Sequence, residues 1–225
     1  MKNLLFLIFI LSLIVLGEAQ VAYQMLMLSL QWTPTVCLVN TCDAGKVASF
    51  TKKFTIHGLW PGNHYNPQPK CPQYYYNSFE PKTVSLKGQL AVNWPNMLAA
   101  DDEFMFWAPE YEKHGTCMVN GGSFQQGDYF DTTLKLKWQV EAISDIRVAL
   151  SSIQPNNLEP LNKILLLLRS TYNVYPQLAC PWTQKNTLAE VRFCFDKFTL
   201  QLINCQNTIV VCGTGSGGTD IMIPG

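Results

Sequence analysis

The chain has 225 residues, and its sixteen basic and sixteen acidic side chains cancel to a formal net charge of +0 at pH 7. That balance excludes a broad electrostatic footprint for duplex nucleic acid, yet leaves room for a local cleft that takes a short single strand by aromatic stacking and a few cations. The length and the 48% hydrophobic content suit one domain with its own core.

The N-terminus reads as a processing signal. Met1, Lys2 and Asn3 are followed by an apolar run over residues 4–16, and then by the small residues Gly17 and Ala19. Cleavage after Ala19 makes residues 1–19 a signal peptide and residues 20–225 the mature domain. The run is too short to span a bilayer comfortably, and no later segment is long enough. The mature chain is therefore expected to be secreted, with a vacuole as the alternative destination, and to need no membrane. Eight cysteines fit that oxidising route. Cys37 and Cys42 could close a short loop, and Cys194 and Cys205 flank an expected hairpin. Spacing leaves the other pairings open, since eight cysteines allow about 105 connectivities. A zinc site is not indicated: there is no CxxC and no histidine beside a cysteine.

In chain order, residues 23–32 are apolar with β-formers and predict a first strand. Phe54 and Ile56 alternate with Thr55 and His57, which predicts a second strand with His57 on the face opposite Phe54 and Ile56. Gly58 and Trp60-Pro61-Gly62 are expected to end it. Residues 63–81, rich in Pro, Asn and Tyr, predict a loop pinned by Cys71. Helices are expected over residues 86–93, through the segment holding Phe104, Trp107, Tyr111 and His114, and over 129–140, 144–153 and 158–172. The last of these has Pro160 in its first turn. Alternation resumes with Val191, Phe193 and Phe195 against Arg192, Cys194 and Asp196, a strand leading to Cys205. Residues 213–218 predict a flexible stretch before Ile221-Met222-Ile223-Pro224. No repeat or linker divides the chain.

Two aromatic-rich segments carry the chemistry. The first is FTIHGLWP, residues 54–61, centred on His57; the second is FWAPEYEKHGTC, residues 106–117, with Glu110, Lys113 and His114. Two imidazoles can cleave a phosphodiester without a metal: one accepts a proton, the other gives one, and a lysine balances the charge that builds on phosphorus. On a helix Glu110 and His114 are i and i+4, and Glu110 and Lys113 are i and i+3, so all three can face one cleft. Pro109 suits a first turn and would break an interior, which predicts a helix starting at Ala108 or Pro109, with Glu110 near the positive end of its dipole. An ordinary helix ion pair would explain Glu110 with Lys113 or His114 taken alone; two segments of the same aromatic, glycine and histidine composition do not arise that way. Trp60 and Phe106 are candidates to stack bases, with core packing as their ordinary role. Gln31, beside Trp32, is a candidate to line the same cleft. His64 reads as a solvent-exposed loop residue.

These two segments resemble the two active-site signatures of the ribonuclease T2 family, the first in full and the second through Phe106-Trp107, Glu110, Tyr111 and the run from Lys113 to Cys117. With Gln31-Trp32 and the ordered cysteines, the resemblance covers nearly the whole mature chain. It implies an α+β fold, a single disulfide-stapled domain with a central, mostly antiparallel sheet and packed helices. It also implies the pairs Cys37–Cys42, Cys71–Cys117, Cys180–Cys212 and Cys194–Cys205. The implied activity is metal-independent endonucleolytic cleavage of single-stranded RNA to 2′,3′-cyclic phosphate ends, with no cofactor. His114 is then the base, His57 the acid, and Glu110 and Lys113 support the transition state. Pro109 stands where many members carry a third, phosphate-binding histidine. Gly62 stands where Asp is frequent, and no Asn-x-Ser/Thr sequon is present; Asn40-Thr41-Cys42 is the rarer Asn-x-Cys form.

Within the family, Thr55 and the missing third histidine favour the pistil self-incompatibility type of plants, which implies a pollen F-box-type recognition protein as a partner. The neutral charge and absent sequon favour a general RNA-turnover or defence ribonuclease. A monomer is expected in either case. The reading outside enzymology is a non-catalytic storage or recognition protein on the same scaffold. Against it stands the retention of His57, Glu110, Lys113 and His114 together.

Overall fold

The computed structural model of the chain describes residues 23–63, 69, 71–72, 80–98, 102–119, 124–210, 212–213 and 220–225. The expected signal peptide, His64, most of the expected 63–81 loop and most of the 213–218 stretch lie outside these residues.

The central sheet is built on β1 (Met25–Trp32), which pairs antiparallel on one side with β2 (Phe54–Gly62) and on the other with β5 (Glu190–Asp196). Beyond β5 lie β4 (Gln177–Ala179), antiparallel to it, and then β7 (Ile209–Val210), the parallel exception; β6 (Leu202–Ile203) closes a hairpin on β5. Directly opposed residues in a ladder share a face, so register sorts the side chains. Leu26, Leu28 and Leu30 of β1 oppose Phe195, Phe193 and Val191 of β5, and all six are buried in one core. The residues between them alternate to the other face. There Gln31 opposes Glu190, and Ser29 opposes Arg192.

Helices cover the apolar face. α3 (Pro81–Asn93) and α5 (Gln126–Ile143) pack on each other, and Leu90, Tyr129, Phe130 and Leu134 reach the core. α7 (Leu161–Tyr172) adds an amphipathic stripe of Leu161, Ile164, Leu165 and Leu168, and ends on left-handed Asn173. α4 (Phe104–Lys113) buries Trp107 and Tyr111, one turn apart, and its last turn runs through His114 into the 3₁₀ turn Gly115–Cys117. The four disulfides are Cys37–Cys42, Cys71–Cys117, Cys180–Cys212 and Cys194–Cys205, which leaves no cysteine free. Fold class and disulfide pairing both follow the expectation.

Several local expectations are corrected. β2 does not end at Gly58 but continues to Gly62, because its pairing with β1 shifts register there: Leu30 opposes Ile56 and Ser29 opposes Gly58, leaving His57 as the extra residue of a bulge. α3 begins five residues earlier than residue 86, with Pro81 in its first turn. The expected helix over 144–153 is one short segment, α6 (Ile146–Ala149), capped by Asp145. Leu158–Pro160 is not helical. It forms β3, which pairs with β8 (Asp220–Met222), so α7 starts at Leu161. Two short helices, α1 (Thr33–Val39) and α2 (Ala44–Phe50), connect β1 to β2. Pro109 is not at a helix start either. It sits inside α4, which begins at Phe104, so the dipole argument for Glu110 fails. The bond it forgoes is to Met105, which is 65% exposed and can be served by water.

Candidate active site

The bulge at His57 decides which side chains enter the site. Thr55 and His57 point away from the core that holds Ile56. A regular strand would send Leu59 to the same side as His57. The extra residue resets the phase, so Leu59 is fully buried in the core while Trp60 joins His57 on the functional face.

Glu110 lies between the two histidines. Its Oε1 is 3.7 Å from His57 Nε2 and its Oε2 is 3.9 Å from His114 Nε2, the latter an i, i+4 pair on α4. The Trp60 indole Nε1–H donates to Glu110 Oε2 at 2.8 Å. The Trp60 ring meets His57 at 5.1 Å and His114 at 5.4 Å between centroids, and Arg192 lies over it at 4.8 Å. Gly58 is required by this crowding. A Cβ there would collide with the Glu110 carboxylate and the Trp60 indole nitrogen. Lys113 is solvent-exposed, one residue before His114, and makes no ion pair among the described residues.

A cleft of about 340 Å³ opens beside His57, lined by Gln31, Asn96, Phe106, Glu190 and Arg192 among others. Gln31 and Phe106 both line this cleft, and the half-buried Phe106 ring is 5.8 Å from His57. Trp60 is not among the lining residues and is only 7% exposed, so it braces the site rather than offering a free face to a base. Glu110, Lys113 and His114 also lie outside the lining of this cleft.

Burial and charge drive the two imidazoles apart. His57 loses affinity for its proton by burial but regains more from Glu190, through charge and a hydrogen bond, and from Glu110. Its pKa ends above the ordinary value despite Arg192. His114 is lowered to about 3, first by burial and then by the Lys113 and His57 charges. Burial raises Glu110, against the His57 charge, the Trp60 bond and Lys113. At mildly acidic pH one imidazole is therefore held charged and the other neutral.

Sequence reasoning missed the support behind His57. Glu190 accepts from or shares a proton with His57 Nδ1 at 2.6 Å, and its other oxygen is held by Ser29 Oγ and Arg192 Nε at 2.8 and 2.7 Å. Alternation in residues 190–196 puts Glu190 and Arg192 on one face; only the pairing of β5 with β1 brings that face to His57. Among the described residues no group of three or more His, Cys, Asp or Glu is placed to hold a metal ion.

A charged and a neutral imidazole across one carboxylate form a site for acid–base cleavage at phosphorus. The model of the Ribonuclease T2 family matches residues 23–205. Ribonuclease S-1 of Pyrus pyrifolia is 34% identical over 214 residues, covering 89% of this chain and 88% of that protein. Ribonuclease MC of Momordica charantia is 31% identical, over 81% of this chain and 93% of the relative. A crystal structure of an RNase MC1 variant in complex with 5′-UMP superposes with a TM-score of 0.70 at 29% identity, covering 90% and 99% of the two chains. The chain belongs to the ribonuclease T2 family, and its enzyme class is that of the T2 endoribonucleases.

Proposed function

We propose that the chain cleaves single-stranded RNA by transphosphorylation, with His114 as general base and His57 as general acid. The observation that carries this reading is the geometry at Glu110: each carboxylate oxygen faces one imidazole, at 3.7 and 3.9 Å, and the two imidazoles are biased to opposite protonation states. Neutral His114 removes the proton of the 2′-hydroxyl as that oxygen attacks phosphorus. Charged His57 delivers a proton to the departing 5′ oxygen, which leaves as an alcohol, and a 2′,3′-cyclic phosphate remains. Lys113 balances the negative charge of the phosphorane-like transition state, and Glu110 supports it from between the two imidazoles. The nucleophile is the 2′-hydroxyl, so DNA is not a substrate. No metal or cofactor takes part in this scheme. The cleft at Gln31 and Phe106 receives a base next to the scissile phosphate, with Phe106 as the stacking surface.

The chain acts as a secreted enzyme, since residues 1–19 carry a signal-peptide pattern and the cysteines are all paired. Thr55 and Pro109 favour the pistil self-incompatibility role, which would add a pollen F-box-type recognition protein as partner. The neutral charge and missing Asn-x-Ser/Thr sequon favour general RNA turnover or defence; tissue of expression and allelic variation between individuals separate the two. The chemical test is His57→Ala and His114→Ala, assayed on RNA with and without excess EDTA. Each substitution should lower turnover by about 10²–10⁴, and the wild-type rate should survive chelation. Near wild-type turnover in either variant refutes the two-histidine scheme.

A further inference from the structure

We propose that Glu190 is a positioning residue for His57, gripping Nδ1 so that Nε2 is the nitrogen left to protonate the leaving oxygen. The inference rests on the assignment of His57 as general acid.

Glu190 Oε1 lies 2.6 Å from His57 Nδ1. The other oxygen cannot wander, because it accepts from Ser29 Oγ at 2.8 Å and from Arg192 Nε at 2.7 Å. Arg192 is fixed in turn by Gln177, whose Oε1 accepts from Nη1 at 2.9 Å, while Gln177 Nε2 donates to the Asn207 carbonyl at 2.7 Å. The register puts these groups together: Ser29 and Gln177 both oppose Arg192, and Gln31 opposes Glu190. Glu190 is 9% exposed and Ser29 fully buried, so water does not compete strongly for these bonds. A carboxylate held from two sides in a dry setting fixes both the tilt and the tautomer of the imidazole it touches.

The consequence is specific to the acid step. Charged His57 carries protons on both nitrogens; giving up the Nε2 proton leaves a neutral ring with Nδ1–H still on Glu190. The ring is then already in the tautomer that recovers a proton at Nε2. The groups facing His57 are Glu190 and Arg192 from β5, Glu110 and His114 from α4 and its end, with Lys113 beside the last two. Glu190 is the negative group in direct contact, so its charge contributes most to holding the acid protonated, with Glu110 second.

The test is Glu190→Gln, measured as kcat/KM against pH on a dinucleoside phosphate and on an aryl ester of a nucleoside 3′-phosphate, whose leaving group needs no proton. His57→Ala is run alongside. On the dinucleoside phosphate Glu190→Gln should lose roughly 10–100-fold, and its alkaline limb should move down by about one pH unit or more. On the aryl ester the loss should be about tenfold smaller. An equal loss for His57→Ala on both substrates overturns the acid assignment and the inference with it. Leaving-group dependence in His57→Ala, but neither dependence nor a moved limb in Glu190→Gln, overturns the inference alone. Should Glu190→Gln fail to fold, Ser29→Ala decides: its loss of kcat/KM should be larger on the dinucleoside phosphate than on the aryl ester, and an equal loss on both, or none, refutes positioning by this network.

Discussion

Trp60→Phe isolates one hydrogen bond in the site. The substitution keeps an aromatic ring near His57, His114 and Arg192, whose present distances from the indole are 5.1, 5.4 and 4.8 Å. It removes the Nε1–H that Glu110 Oε2 accepts at 2.8 Å. A hydrogen bond to a charged group is worth roughly 1.5–3 kcal/mol, and about 1.36 kcal/mol is tenfold in rate. If the orientation of Glu110 matters most in the transition state, kcat should fall roughly 10- to 150-fold, with KM on a dinucleoside phosphate within about twofold. Losing that bond also removes one of the influences that lower the Glu110 pKa against burial, so the acidic limb of the kcat profile should move to higher pH. A KM raised about tenfold at unchanged kcat would refute this reasoning and make Trp60 a base platform after all.

Gly58→Ala should fold yet lose activity by about 10²-fold, because the new methyl displaces the Glu110 carboxylate and the Trp60 indole; circular dichroism with steady-state kinetics checks it, and full activity would show that the crowding is not needed. Pro109→His should be accommodated at its exposed position in α4 and should stabilise the helix by up to about 3 kcal/mol in a thermal or urea melt. It also supplies a phosphate donor, so KM on a dinucleoside phosphate should fall more than kcat rises; an unchanged or higher KM in a well-folded variant would show that this position does not limit phosphate binding.

The proposed reacting groups are legible in the chain, but their support is not. His57, Glu110 and His114 sit in two dense motifs, and an i, i+4 spacing on one helix suffices to put the last two on a common face. The apolar alternations of residues 23–32 and 191–195 likewise reveal their strands. Other features depend on distant partners. Glu190 reads as one polar residue at a strand edge until the register with β1 sets it against His57 through Ser29 and Gln31. The bulge at His57 exists only in the pairing of two strands, so alternation alone ends β2 too early. Leu158–Pro160 looks like the start of a helix because its strand partner comes from the C-terminal residues Asp220–Met222. Pro109 obeys helix-start statistics that tertiary packing overrides: burying Trp107 and Tyr111 on one side of α4 holds the helix through it.

The proposed mechanism requires the two imidazoles to occupy opposite protonation states in the resting enzyme. It is tested most directly by NMR titration of the His57 and His114 ring signals in the wild-type protein, assigned with the single alanine variants. His57 should titrate above the ordinary value of 6.5, and His114 should stay neutral down to strongly acidic pH, near 3. Two histidines titrating together near 6.5, or the reverse order, would contradict it.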